Sequence, residues 1–301
     1  MAPLQTPSWK ATVTPGITMT FVNEFTYSPS IIPDLYDVKP STMYREVAQT
    51  YAGAGNLQKY TSSSIPKLSG QQAYSKTFTH DKFGGIIDIE YELYKDDMYN
   101  VIKPQIIDLA RSARRTREES AVDLFNHAFD TSYTVADSLS LCSTAHTSPV
   151  PGVANQSNSG TSALSYNSYV AARNAMRKFK GYNDEKLSIL GDTLLVPIDL
   201  SETAIGITES QLKDANFQVN VINNSWKPRV IISEYLSDAN NWFLMCRKYL
   251  KMHNLWFNRE PLKLFDDAST SNMVLSFAAY MRYSFGSVDW KFVYGNSVSG
   301  G

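Results

Sequence analysis

The stretch YSKTFTHDKFGGIIDIEYELYKDDMYNVIKPQIIDLARSARRTREESAVDLFNHAF, residues 74–129, decides how this chain folds, because its apolar period changes at the centre. Tyr74, Lys76 and Phe78, then Ile87, Ile89 and Tyr91, alternate as strand residues do, with Gly84 and Gly85 interrupting the run. Beyond Leu93 the spacing becomes helical: Ile102, Ile106, Leu109, Ala113, Ala121, Leu124, Phe125 and Ala128 recur every three or four residues. A helix over 99–129 would be on the order of 45 Å long, more than a typical globular helix. Pro104 belongs in its first turns, where a missing donor costs least, and Asp96 and Asp97 suit the N-terminal dipole.

Upstream, residues 46–91 have rough alternation on both sides of a soft centre, SSSIPKLSGQQ. They read as a long two-stranded excursion that returns to the body. A ribbon of that kind is marginal alone and needs a neighbour. Residues 1–45 carry Pro3, Pro7, Pro15, Pro29, Pro33 and Pro40, which predict an extended arm with one short helix rather than a long one. Such an arm buries its Ile, Leu and Phe side chains only against another surface. Chain that extends this far from its own core points to assembly with copies of itself.

Downstream, 130–164 is rich in Ser, Thr, Pro and Gly and reads as loop. A second helix is expected over 165–180, stopped by Gly181. KLSILGDTLLVPIDLSETA reads as strands followed by a helix capped by Ser201. FQVNVINN, PRVIISEYL and NWFLMCRK read as further strands, making 182–250 a compact α/β or α+β block. In the last stretch Phe277, Ala279, Met281 and Tyr283 share one face, Val288, Trp290 and Phe292 repeat the spacing, and closing strands against the long helix are expected.

The long helix carries Arg111, Arg114, Arg115 and Arg117 at its middle, followed by Glu118 and Glu119. Arg114 with Glu118 and Arg115 with Glu119 stand four apart and can pair on the helix surface. A solvated face, an intersubunit contact and a phosphate contact all fit that pattern.

The chain has 301 residues, is 43% hydrophobic and has a formal net charge of -1, so it builds a substantial core and has no global field toward nucleic acid or anionic membrane. No segment offers the run of apolar residues a membrane span needs. Cys142 and Cys246 stand far apart with no partner motif, which suits a reducing compartment. The histidines His80, His127, His146 and His253 are scattered, and no metal-ligand spacing, phosphate loop, dinucleotide fingerprint or nucleophile turn occurs. Cys142 with His146 is the nearest approach to a nucleophile and base, and a structural role for His146 is the preferred reading. No cofactor, metal or catalytic residue is expected.

Taken together, THDKFGGIIDIEYELYKDD leading into the long helix, STAHTSPVPG, GDTLLVPIDLSETA, PRVIISEYLSDANNWFLMC and YMRYSFGSVDWKFVYG occur in an order that resembles the major capsid protein of tailed bacteriophages, especially the Mu-like major head subunit group. The resemblance covers roughly residues 20–298. It implies an α+β tailed-phage capsid fold: an N-terminal arm over 1–45, an extended β-hairpin loop over 46–91, a peripheral domain with a spine helix over 92–184, an axial domain over 185–254, and a return to the peripheral domain over 255–301.

The same resemblance implies a subunit that self-assembles as pentamers and hexamers into an icosahedral or elongated shell around the phage genome, meets a portal vertex and scaffold or decoration proteins, and touches packaged double-stranded DNA non-specifically on its inner surface. It further implies a location in the virion head after assembly in the host bacterial cytoplasm, with no membrane partner. Tyr60, Ile65, Leu68, Tyr74 and Phe78 are the expected contacts along the loop, and Arg111, Arg114, Arg115 and Arg117 the expected support of the spine or its interfaces. A protein-cargo storage shell of the same fold and an uncharacterised cytosolic enzyme are the competing readings.

Overall fold

The computed structural model describes residues 9–298 apart from 54, 58, 62–64, 66, 69, 91, 94, 95, 97–101, 213–218 and 270–272. The described helices are α1 (Trp9–Thr26), α2 (Ile32–Leu35), α3 (Ile102–Asn126), α4 (Tyr166–Arg177), α5 (Ser201–Glu209), α6 (Val221–Ser225) and α7 (Arg247–His253). The strands are β1 (Asp37–Pro40), β2 (Arg45–Ala52), β3 (Gln71–Thr79), β4 (Asp81–Glu90), β5 (Ser159–Gly160), β6 (Thr193–Pro197), β7 (Arg229–Ser233), β8 (Trp242–Met245), β9 (Asn254–Ser269), β10 (Val274–Ser287) and β11 (Val293–Asn296).

The apolar alternation along β10 builds the first sheet, ordered β1-β9-β10-β4. Leu275, Phe277, Ala279, Met281 and Tyr283 are buried on one face. On that face Ile102, Ile106, Leu109 and Ala110 of α3 pack with Leu275, Phe277 and Ala279. The second sheet is mixed, in the order β5-β11-β8-β6-β7. Every residue of β6 and β8 is buried, as a strand covered on both faces requires. Leu195, Phe243 and Met245 face the cluster that includes Ala121, Phe125 and Ala128. Leu194, Val196, Trp242 and Leu244 face Tyr169, Ala172 and Met176 of α4. The long helix therefore joins the two sheets, its first half on one and its last turns on the other.

Several expectations need correction. The proline-rich start holds an 18-residue helix that includes Pro15. Tertiary packing outweighs the breaker: Ile17, Phe21 and Phe25, at four-residue spacing, lie in the cluster with Ile102, Ile106 and Leu109, and Phe21 is buried there. The arm thus finds its surface in its own long helix. Residues 81–90, read as part of the extension, belong to the body, with β4 paired to β10 from Val274↔Glu90 to Tyr283↔Asp81.

The long helix runs 25 residues, and its first turn holds no acid; Asp96 lies upstream, and Asp97 and 99–101 fall outside the described residues. In FQVNVINN, Phe217 falls outside the described residues and the end is helix α6, because Asn220 accepts hydrogen bonds from the Ile222 and Asn223 amides and so caps it. Ser201 is the first residue of α5, not its cap, since a 3-10 turn over Ile198–Leu200 leads directly into the helix. Ser165 does cap α4, in a reciprocal pair with Ser168. The sheet built from 185–254 also recruits β5 and β11 from outside that block.

Candidate intersubunit surface

Strands β2 and β3 form a sheet of their own, antiparallel from Arg45↔Thr79 to Ala52↔Gln71. These paired strands, the root of the longer excursion, are fastened to the same chain along their length. The Phe78 ring is buried 5.3 Å from the Phe257 ring, beside Leu255 and Val288. Gly286 makes room for it: its φ of +151° suits glycine, and a Cβ there would stand 3.2 Å from the Phe78 ring. The Lys76 ammonium donates to the Thr134 carbonyl at 2.7 Å, and burial pulls its pKa below the ordinary lysine value. Tyr74 donates to the Thr147 carbonyl at 3.3 Å with its ring edge-on to Tyr182, and the Asn183 amide donates to the Gly53 carbonyl.

Beyond that root the surroundings change. Tyr51 is exposed, and past Gly53 the described residues Leu57, Tyr60, Ile65 and Leu68 are 88%, 51%, 72% and 37% exposed. Four large apolar groups on one loop, with only Lys59 and Lys67 as charges between 53 and 70, form a tip that loses free energy by staying in water.

A second exposed apolar surface lies on the outer face of the first sheet. Phe265 and Ile86, both more than half exposed, flank Ala278 in one cross-strand row. With Gly84 and Tyr280 in the next row and Glu260 beside them they line a shallow notch open to solvent. Asp88 and Asp267 stand opposite Ser276 in the adjacent row, and Glu90 stands opposite Val274 at the end of the sheet, so acids border this apolar notch. Sequence reading missed it. Its small residues, Gly84 opposite Tyr280 and Ala278 opposite Ile86, come together only once β4 and β10 pair. Ile198, Ile205, Val219 and Ile232 are further exposed apolar side chains.

The nine residues singled out from the sequence therefore separate. Tyr60, Ile65 and Leu68 are on the exposed tip, Tyr74 is half-buried at the root, and Phe78 is core of its own chain. Arg111 forms a 2.7 Å ion pair with Glu24 of α1. Arg117 packs between the Phe25 and Trp256 rings, about 6 Å from each centroid. Arg115 is exposed and Arg114 half-buried. Neither expected helix pair forms among the described residues: Glu118 is buried and accepts from the Ile31 amide at 3.1 Å, holding the start of α2.

The loop chemistry is structural in its geometry. His146 is buried, with Nδ1 2.6 Å from Asp137 Oδ2, Nε2 3.1 Å from Asn158 Oδ1, and its ring stacked on Trp290. Cys142 is also buried, and burial pushes its thiol pKa far up, which suppresses the thiolate a nucleophile needs. Among the described residues no group of His, Cys, Asp and Glu could hold a metal ion, and no helix is long and apolar enough to cross a membrane.

Residues 73–296 match a family described as phage capsid protein. No curated protein sequence matches the chain. Solved structures with the same fold include the bacteriophage PhiM1 mature capsid, at 9% identity and a TM-score of 0.61, covering 90% of this chain and 88% of that one. The capsid of a native GTA particle is 13% identical with a TM-score of 0.56, covering 91% and 92%. A virus-like particle from Pyrococcus furiosus is 7% identical with a TM-score of 0.57, covering 94% and 98%.

Proposed function

The chain belongs to the phage capsid protein family, and from that premise we propose that it is the major head subunit of a tailed phage, assembling in the host cytoplasm into the closed shell that encloses double-stranded DNA. The observation that carries this reading is the ribbon whose root is buried on its own body while its tip presents Leu57, Tyr60, Ile65 and Leu68 to solvent. That division suits a lever held at one end and covered by a sister molecule at the other.

In this reading 53–70 is the tip of the extended loop, α3 the spine, the first sheet the peripheral domain and the second sheet the axial domain. Pentamers and hexamers then bury the exposed apolar tip and notch, with areas per contact of about 800 Å² a side or more. Arg115 and Arg114 contact a neighbour or the packaged genome, and such phosphate contacts weaken with salt. The order of THDKFGG, GDTLLVPIDLSETA and YMRYSFGSVDW supports the finer placement among Mu-like head subunits. Portal, scaffold or decoration proteins are the further partners of such a shell, and no catalytic role is assigned.

The test is removal of Thr61–Gln71 with sedimentation and electron microscopy of the purified product. Retention of the folded subunit with loss of closed particles supports the proposal, and normal shells from the deleted chain contradict it. A storage shell around protein cargo is the second reading, since a virus-like particle shares the fold. Nuclease-protected DNA in the natural particle separates the two.

A further inference from the structure

Two short crossings connect the β2–β3 ribbon to the body, and both meet at one imidazole. The chain leaves the first sheet at the end of β1, passes Ser41 and enters β2; it returns from β3 into β4 through His80 alone. His80, Ser41 and Ser284 of β10 are all buried. Ser41 Oγ lies 3.0 Å from His80 Nε2, and Ser284 Oγ lies 2.9 Å from Nδ1. Ser41 also donates to Glu46 Oε1 of β2 at 2.6 Å. One ring thus links the outgoing crossing, the incoming crossing, the ribbon and the sheet.

The proton positions follow from this geometry. The single Ser41 hydroxyl proton is committed to Glu46, so toward the ring Ser41 can only accept, and Nε2 carries the hydrogen. The neutral ring then offers the Nδ1 lone pair, which accepts the Ser284 hydroxyl proton. A proton added at Nδ1 turns that nitrogen into a donor, so the buried Ser284 hydroxyl must swing its own proton away from the ring and lose the acceptor it has there.

The charges around the ring also oppose a second proton. Arg282 of β10 and Arg259 of β9 face it, with Glu46 of β2 as the opposing carboxylate and the Met43 carbonyl as a further acceptor. Asp81 and Lys82 follow directly in β4, and Glu260, ion-paired with Lys263 at 2.9 Å, also feels Arg259 and Arg282. Burial first, then Arg282, holds the imidazole below its ordinary value of 6.5 despite Glu46.

We propose that His80 is an acid-released bolt, fixing the ribbon to the first sheet while its ring is neutral and freeing the ribbon's root when the ring takes up a proton. The released ring titrates near its ordinary value and the held ring lower, so release binds the extra proton. The bolt holds above about pH 6.5 and weakens as pH falls below it, by at most about tenfold per pH unit for one proton.

Amide hydrogen exchange of the purified full-length chain at pH 7.5 and 5.5, scaled for intrinsic rates and read on each size fraction separately, tests this independently of whether shells form. Protection of 45–52 and 71–79 falls at pH 5.5, by up to about tenfold beyond scaling, while 193–197 and 242–245 stay unchanged. His80→Gln, which hydrogen-bonds without titrating, removes that extra loss. Ser284→Ala, which leaves Nδ1 without its donor, shrinks it, and decides the matter if His80→Gln does not fold. Equal ribbon protection at both pH values in the unmodified chain, or an undiminished acid response in the folded variants, overturns the proposal.

Discussion

Phe78 and Phe257 lie with ring centroids 5.3 Å apart, so the ribbon is nailed to its own subunit at its root. Phe78→Ala removes a buried ring and leaves a cavity, which costs about 3–5 kcal/mol. Chemical denaturation of the subunit should show that loss. At the exposed tip, Ile65→Leu and Ile65→Ala should each change the subunit's stability by less than about 0.5 kcal/mol in the same measurement.

On the outer sheet face, Ile86→Glu and Phe265→Glu place charge in the apolar notch without disturbing a buried side chain. Circular dichroism melting should be nearly unchanged for both. Particle yield by sedimentation should fall at least tenfold if the notch is covered by a sister molecule, because an unpaired charge would then be buried.

How much of this was legible beforehand differs element by element. The long helix and β10 were readable because each keeps one strong period for many residues. The notch was not, since it depends on which strands become neighbours, and Gly84 meeting Ala279 across two strands far apart in sequence leaves no local trace. Helix α1 was hidden by Pro15, whose local cost is offset by Phe21 and Phe25 packing on a helix some 80 residues later. Phe78 was misassigned because a strand period reports that a face is covered and not by which molecule.

Asp289 and Lys291 form a buried ion pair at 2.8 Å, with Tyr182 donating to the same carboxylate. Burial works to raise the Asp289 pKa, but Lys291 and His253 outweigh it and hold the carboxyl below its ordinary 3.8. Its stabilising effect is therefore complete above about pH 4 and is lost as pH falls through the lower folded-state value. Asp289→Asn should cost about 3–5 kcal/mol at neutral pH by leaving Lys291 buried without its hydrogen-bonded counter-charge, and should flatten the acid limb of the stability profile. Thermal melts between pH 7 and pH 2.5 read both effects.

Arg111 and Arg115 should behave differently although both project from α3. Arg111→Ala breaks a partly exposed ion pair with Glu24 and costs under about 1 kcal/mol in the isolated subunit. Arg115→Ala should leave subunit stability within about 0.5 kcal/mol and reduce either particle yield or the salt dependence of DNA retention. Denaturation and nuclease protection on the two variants distinguish a tie within the subunit from a contact outside it.

The most direct measurement is a cryo-electron microscopy reconstruction of the particles formed by the purified chain, with density traced from Gly53 to Gly70. The account predicts a closed shell in which Leu57, Tyr60, Ile65 and Leu68 are covered by another copy. A reconstruction or solution structure in which that loop folds against its own subunit, with no contact to a second chain, would contradict it.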